Sequence, residues 1–130
     1  MDLSDTDYLA AQTKMEWARL LRYDGLYQAA INNLRQALLF AERNDQRGLI
    51  YACMAQCYNS LRDPLAALET AQKAIDALKQ CDLDSQPMLQ KRLGVMRALE
   101  RSINYKLEHP SLWYRVAKFF GRPTDHHFAV

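Results

Sequence analysis

The sequence predicts an all-α domain built from stacked helix pairs. Residues 25–38 and 62–75 carry the same helical pattern, and the matched alanines Ala30 and Ala67 lie 37 positions apart. A constant spacing of this size is typical of repeated helical units, each of which buries its apolar face on the next. The chain has only four glycines and four prolines, and it lacks the alternating β-branched pattern of strands, so long helices are expected.

The first helix is expected to be capped by Ser4 or Asp5 and to run to about Tyr23, where Gly25 breaks it. A second helix is expected over residues 27–43. Its apolar residues recur at steps of three and four, which is typical of a helix that buries one face. They are Ala30, Ile31, Leu34, Ala37, Leu38 and Ala41.

The second helix pair follows a connection at residues 44–45. A third helix is expected over residues 47–60. The fourth begins with a strong signal, because Asp63 is a good N-cap and Pro64 suits the first helical position, where no amide hydrogen is needed. It is expected to end near Gln80.

The pattern changes after a polar loop at residues 81–87. One long helix is expected over residues 86–108, ended by Pro110, and Gly94 within it suggests a close approach to a neighbouring helix. A short final helix is expected over residues 112–120, followed by a tail.

The repeated unit resembles the tetratricopeptide repeat, a helix–turn–helix unit of about 34 residues. The resemblance implies a short right-handed solenoid of antiparallel helix pairs over residues 1–108, with units at about 11–45 and 48–81. Residues 86–108 would be its capping helix, and residues 109–130 a short aromatic and basic C-terminal helix and tail. The matching positions are Trp17, Ala18, Leu21, Ala30, Leu34 and Ala37 in the first unit and Tyr51, Ala55, Tyr58, Ala67, Ala71 and Ala74 in the second.

In this family the first helix of each unit lines a concave groove that binds a partner. The resemblance implies that the groove here is formed by Gln12, Met15, Arg19, Arg22 and Tyr23, together with Leu49, Ala52, Gln56, Asn59 and Ser60. Arginine suits a carboxylate, since its planar fork makes paired charge-assisted hydrogen bonds. The alternative is that Arg19 and Arg22 are simply exposed helix residues.

The sequence offers no pattern for catalysis or for a cofactor. Cys53 and Cys57 share one side of a helix, but Cys81 lies on another element and no histidine is nearby, so buried structural thiols are expected rather than a metal site. His109, His126 and His127 have no accompanying cysteine or carboxylate pattern. Phosphate-binding glycine loops and hydrolase motifs are also missing, and we therefore expect a protein that is not an enzyme.

The acidic N-terminus is unlike a signal peptide, and the longest apolar run is too short to span a membrane. A cytoplasmic protein with reduced thiols is expected. The Met1 start and the tail-like end predict a whole protein.

Charge is distributed unevenly. Residues 1–90 carry a net charge of −3 and residues 91–130 a net charge of +5. Two interpretations remain: a solvated basic helix face, or a basic surface for an acidic partner, nucleic acid or anionic lipid.

Residues 111–122 combine large aromatic residues with basic ones. Three interpretations compete: a lid on the last helix, a docking helix for a partner or a second subunit, and a helix on a membrane surface. The aromatic residues of this association or lid segment are Trp113, Tyr114, Phe119 and Phe120.

The predicted function is non-catalytic binding of a peptide or helical segment of a partner protein, as an adaptor or small chaperone. A homodimer through the aromatic segment is a further prediction. The alternative is binding of nucleic acid or an anionic surface through the basic C-terminal region, which lacks a helix-turn-helix signature and interleaved stacking aromatics.

Overall fold

The computed structural model describes residues 3–110, which form five helices and no strand. The all-α prediction is therefore confirmed for this part of the chain. The helices are α1 (Leu3–Tyr23), α2 (Tyr27–Phe40), α3 (Asn44–Ser60), α4 (Pro64–Lys79) and α5 (Pro87–Glu108). The helix predicted over residues 112–120, with Trp113, Tyr114, Phe119 and Phe120, lies outside the described residues.

The turn between α1 and α2 ends the first helix in a Schellman motif. Gly25 has a φ of 81°, a left-handed conformation that glycine adopts without steric cost. Its N–H donates to the carbonyl of Arg22 at 3.0 Å, and the N–H of Leu26 donates to the carbonyl of Leu21 at 2.8 Å. These bonds satisfy carbonyls that the helix end would otherwise leave unpaired, so the predicted break at Gly25 is confirmed.

The turn between α3 and α4 repeats this geometry 37 positions later. Arg62 takes the place of Gly25 and has a φ of 62°. Its N–H donates to the carbonyl of Asn59 at 3.1 Å, and the N–H of Asp63 donates to that of Tyr58 at 3.0 Å. The sequence repeat therefore corresponds to a repeat of backbone conformation.

The start of α4 is confirmed as predicted. The carboxylate of Asp63 accepts a hydrogen bond from the N–H of Ala66 at 3.2 Å, and Pro64 occupies the first turn. The side-chain cap and the proline together define this helix end.

The predicted boundary between α2 and α3 is wrong by about three residues on each side. Helix α2 ends at Phe40, because Ala41 and Arg43 are both extended, with ψ values of 120° and 141°. Helix α3 already begins at Asn44. Asp45 therefore lies in its first turn, where a negative charge favours the helix dipole, and the Arg43 guanidinium holds it at 2.7 and 3.1 Å.

The predicted cap of α1 is also wrong. The structure describes α1 from Leu3, so Ser4 and Asp5 are helical residues and not a cap. Asp5 lies in the first turn, where its charge favours the helix dipole.

Consecutive helices pack against each other in the described chain. Helices α3 and α4 run antiparallel, because Gly48 near the start of α3 meets Leu78 near the end of α4. Helices α1 and α3 run parallel: Gln46 at the start of α3 bonds to Tyr8 and Gln12 in the first half of α1, and Arg22 at the end of α1 bonds to Gln56 in the second half of α3. Helix α5 packs on α4 and also contacts α3.

Small residues line the helix contacts. Each of the helices α1 to α4 has at least two buried alanines, and short side chains let helix axes approach closely. These alanines are Ala11, Ala18, Ala30, Ala37, Ala52, Ala55, Ala67, Ala71 and Ala74. The buried residues form one cluster among α1, α2 and α3 and a second among α3, α4 and α5. The largest fully buried side chains in the described chain are Ile31, Leu34, Ile50, Leu78, Leu89, Met96 and Ile103.

The close approach expected at Gly94 occurs at Gly48 instead. Among residues 3–110, a Cβ added at Gly94 would meet no atom within 4 Å, so this part of the chain makes no close approach there. A Cβ at Gly48 would lie 2.7 Å from Cδ2 of Leu78. The end of α5 is as predicted, since the helix stops at Glu108 before Pro110.

None of the helices in the described range is long and apolar enough to cross a bilayer.

Candidate functional site

An open groove of about 640 Å³ runs over the first helices of the two pairs and the beginning of α5. Because α1 and α3 run parallel, residues at corresponding levels of the two helices face the same groove. It is lined by Gln12, Met15, Glu16, Arg19, Leu20, Arg22 and Tyr23 of α1, Leu34 of α2, Leu49, Cys53 and Gln56 of α3, and Met88 and Arg92 of α5.

Most of the residues predicted to form a groove lie together here. The structure brings Gln12, Met15, Arg19, Arg22, Tyr23, Leu49 and Gln56 around one concave surface. Three of the predicted residues lie elsewhere: Asn59 and Ser60 are exposed but do not line the groove, and Ala52 is buried among residues of α4 and α5. That this surface binds a partner remains a prediction.

The groove also contains residues that the resemblance does not imply. Four lie on α1, α2 and α3, namely Glu16, Leu20, Leu34 and Cys53, and two lie on α5, namely Met88 and Arg92. The two on α5 were missed because residues 86–108 were interpreted only as a capping helix. Both lie in the first two turns of α5. The order of the helices could have indicated these two residues. A helix that follows two helix pairs corresponds to the first helix of a third pair. Its first turns therefore extend the surface formed by α1 and α3.

Arg22 joins the two parallel helices across the groove. Its Nη1 donates to Oε1 of Gln56 at 2.5 Å and lies 3.7 Å from Sγ of Cys53. The guanidinium still has other N–H groups, because arginine carries five donors. Arg22 is thus held in place by α3 while it retains donors for a bound carboxylate.

The other two arginines of the groove differ in their partners. Arg19 forms an ion pair with Glu16 at 3.0 Å, but both side chains are largely exposed and such pairs contribute little. Arg92 is half-buried and forms no hydrogen bond or ion pair within residues 3–110. Apart from Cys53, the groove carries three arginines and one glutamate, which is an excess of two positive charges.

Apolar side chains stand beside these charges. Leu20, Tyr23 and Met88 are 60%, 91% and 62% exposed, and Met15 and Leu49 lie deeper. Exposed apolar groups of this size gain free energy when a partner covers them, by roughly 25 cal/mol per Å² buried. The groove combines apolar contact area with donors for anionic groups.

Gln12, one of the predicted groove residues, already forms a hydrogen bond within the fold. The amide of Gln46, which is 3% exposed, donates to the carbonyl of Tyr8 and to Oε1 of Gln12, both at 3.1 Å. The Gln12 amide oxygen therefore fastens α3 to α1. Its amide nitrogen is the part of this side chain that remains for a ligand.

Cys53 has an unusual environment on the floor of the groove. A hydrogen bond from the Cys57 thiol lowers the pKa of Cys53 from 9.0 to about 6, and the nearby guanidinium of Arg22 acts in the same direction against the effect of burial. Arg92 contributes a weaker attraction from α5. The expectation of a buried structural thiol therefore does not describe Cys53, which is half-buried, lines the groove and has a lowered pKa.

The other two thiols have the opposite tendency. The pKa of Cys57 is raised because its proton is used in the bond to Cys53 and because it is buried. Burial also raises the pKa of Cys81, and the Asp45 carboxylate adds to this. All three cysteines are free thiols, and no cluster of three metal-ligating side chains occurs in the described range.

Comparison of the chain with protein-family models, with curated proteins and with solved structures gave no match.

Proposed function

We propose that this protein is a non-catalytic binding module of the tetratricopeptide-repeat type, acting as an adaptor or small chaperone. In this proposal the pairs α1–α2 and α3–α4 are the repeat units, and α5 completes the groove. Two observations support it: the left-handed turns at Gly25 and Arg62 repeat at 37 positions, and α1 and α3 lie parallel and side by side.

The proposed ligand is an acidic segment of a partner protein with apolar side chains next to its carboxylates. The observation that carries this proposal is the placement of Arg19, Arg22 and Arg92 around exposed Tyr23 and Met88. Guanidinium groups bind carboxylates through paired hydrogen bonds, and the apolar side chains supply contact area that charge alone does not.

The groove needs little rearrangement to receive such a segment. Arg22 is already oriented by Gln56, and Gln46 fixes the spacing of α1 and α3. A preformed site loses less conformational entropy on binding than a flexible one. The groove would select segments whose carboxylates are spaced to meet the guanidinium groups of Arg19, Arg22 and Arg92.

Fluorescence anisotropy with short fluorescein-labelled peptides tests this function. One peptide carries glutamates that flank a leucine-rich centre, and its matched partner carries glutamines instead. We expect the acidic peptide to bind more tightly. The double variant Arg19→Ser/Arg92→Ser should weaken its binding by about tenfold per arginine, which corresponds to ~1.4 kcal/mol each.

A charge-matched control separates the groove from general electrostatics. Arg97 and Arg101 are exposed on α5 and do not line the groove. The double variant Arg97→Ser/Arg101→Ser should leave the affinity within about twofold, because distant exposed charges are screened at physiological salt. Equal losses in the two double variants, or equal binding of the two peptides, would contradict the proposal.

The alternative is binding of nucleic acid or an anionic surface through the basic region that begins at residue 91. One observation favours it: α5 carries five basic and two acidic residues. A labelled single-stranded oligonucleotide distinguishes the two functions. Binding that falls steeply with salt and is weakened equally by both double variants would support the alternative.

A further inference from the structure

The thiol of Cys53 lies among groups that stabilise its negative charge. Arg22 reaches it from α1 at 3.7 Å, Arg92 faces it from α5, and Cys57 donates to it from the next turn of α3. Cys53 also lines the open groove, so a small molecule in the groove can reach its sulfur. Cys53 also packs against the core of α1, α2 and α3, but a thiol that borders a groove beside guanidinium groups is in the electropositive, partly exposed environment typical of reactive cysteines.

We propose that Cys53 is a modification site, at which a small anionic disulfide of the glutathione class forms a mixed disulfide with the protein inside the groove. The choice of an anionic reagent follows from the charges around the sulfur. The carboxylates of such a molecule would meet the guanidinium groups of Arg19 and Arg92 when its disulfide reaches Cys53. A cationic disulfide would be repelled by the same groups.

The step is a thiol–disulfide exchange. The Cys53 thiolate attacks one sulfur of the disulfide, a bond forms between these two sulfurs, and the original sulfur–sulfur bond breaks. The second half of the reagent leaves as a thiolate, which is protonated by water. The reagent is the oxidant: the Cys53 sulfur is oxidised, and the departing sulfur is reduced. No other reactant is required.

The mixed disulfide should persist because Cys57 cannot displace the attached group. Residues four apart on a helix have Cβ atoms about 5–6 Å apart. A disulfide needs Cβ atoms about 3.5–4.5 Å apart, so Cys53 and Cys57 would have to unwind a turn of α3 to join. Cys57 is also completely buried, and its pKa is raised. The reaction therefore ends at Cys53.

Modification would also regulate the groove. The adduct would lie where the partner segment is proposed to bind and would compete for the same arginines. This consequence rests on the proposed function, whereas the modification itself does not. Reduction by a thiol would restore the free groove, because thiol–disulfide exchange is reversible.

The test is the reaction of the full chain with oxidised glutathione at pH 6, followed by mass spectrometry of its peptides. Cys81 serves as the internal control. A thiol with a pKa of about 6 is half ionised there, whereas the raised pKa of Cys81 leaves at most about one part in a thousand of that thiol ionised. After correction for the lower nucleophilicity of the more acidic thiol, we expect Cys53 to react at least about twentyfold faster than Cys81.

Two comparisons decide whether the groove causes this reactivity. Oxidised glutathione should react faster at Cys53 than cystamine, a cationic disulfide, while Cys81 should show no such preference. Arg22→Met should slow the reaction of Cys53 at pH 6, and Arg97→Met, which changes an exposed arginine outside the groove, should not. Circular dichroism of both variants verifies that the helices are retained. Equal rates at Cys53 and Cys81, or faster reaction with cystamine, would overturn the proposal.

The two proposals fail separately. If Cys53 reacts selectively but the acidic peptide does not bind, the modification site stands and the proposed function is wrong. If the peptide binds and Cys53 reacts no faster than Cys81, the groove stands and the modification site is wrong.

Discussion

Gly25 and Arg62 occupy the same left-handed backbone position, 37 residues apart, at the end of the first helix of each pair. Their φ values are 81° and 62°, and each N–H donates to the carbonyl three residues earlier. Only the first position has the residue that suits this conformation. A side chain with a Cβ in this region costs roughly 1–2 kcal/mol, so the second turn is strained.

Arg62→Gly should therefore stabilise the protein. The variant removes the strain of the left-handed conformation, but glycine also gives the unfolded chain more conformational freedom. The free energy of unfolding should therefore rise by about 0.5–1 kcal/mol. Urea denaturation followed by circular dichroism measures it. In the reciprocal variant Gly25→Ala the free energy of unfolding should fall by about 1 kcal/mol. This variant places a Cβ in the left-handed conformation after α1, which is the strain that Arg62 already has after α3. A loss of stability in Arg62→Gly would show that the arginine side chain makes a contribution larger than the strain.

Replacement of two helical glycines by alanine should change the free energy of unfolding in opposite directions. Gly48→Ala places a Cβ 2.7 Å from Cδ2 and 2.8 Å from Cγ of the fully buried Leu78, so α3 and α4 have to move apart. Overpacking of this kind costs about 1–3 kcal/mol, which exceeds the gain of about 1 kcal/mol in helix propensity. In the part of the chain that the structure describes, the Cβ of Gly94→Ala meets no neighbouring atom, and the free energy of unfolding should rise by about 0.5–1 kcal/mol.

The same urea experiment compares the two glycine variants under one set of conditions. A gain in Gly48→Ala would show that Leu78 adopts another rotamer without loss of packing. A loss in Gly94→Ala would indicate that this exposed part of α5 contacts something beyond residues 3–110.

Gln46 should be important for the spacing of α1 and α3. Gln46→Met keeps the length of the side chain but removes its bonds to Tyr8 and Gln12. We expect a loss of about 1–2 kcal/mol, since each buried hydrogen bond contributes about 1 kcal/mol. Gln90→Met, at an exposed position of α5, is the control and should change stability by less than ~0.5 kcal/mol. If the two variants behave alike, the Gln46 bonds do not hold the helices together.

The ionisation of Cys53 should appear in the pH dependence of stability. Its pKa is lowered to about 6 in the folded chain and returns to the ordinary value of 9.0 in the unfolded chain. Between these values the unfolded state binds more protons, so the free energy of unfolding should rise with pH from about 6 to 9. The contribution of Cys53 is complete above 9 and is lost as the pH falls through 6.

Urea denaturation at a series of pH values, with Cys53→Ser as the reference, isolates this contribution. The difference between the two proteins should increase over that interval. Arg22→Met should flatten the increase, because it removes one of the groups that favour the thiolate. An equal pH dependence in the wild type and Cys53→Ser would show that the thiol titrates normally.

Much of the candidate groove could be predicted from the resemblance to the tetratricopeptide repeat, which assigns the groove to the first helix of each unit. The resemblance implies Arg19, Arg22 and Gln56 as groove residues, and the helical period of 3.6 residues explains why residues at such spacings share a face. Asn59 was misplaced because α1 and α3 are staggered along their axes: Arg22 meets Gln56, three positions before its repeat equivalent Asn59. An axial shift between packed helices depends on side-chain interlocking, which no periodicity reveals.

The sequence by itself determined the five described helices, their order and the turns after α1 and α3, because these depend on neighbouring residues. It did not determine the exact ends of α2 and α3. The capping of α4 by Asp63 and the break at Gly25 are local events that short segments specify. Only the tertiary structure decided which residues meet across helices. The environment of Cys53 requires Arg22 from a helix 31 positions away, and the tie between Gln46 and Gln12 spans 34 positions. Such contacts arise from the packing of whole helices, where distance along the chain no longer predicts distance in space.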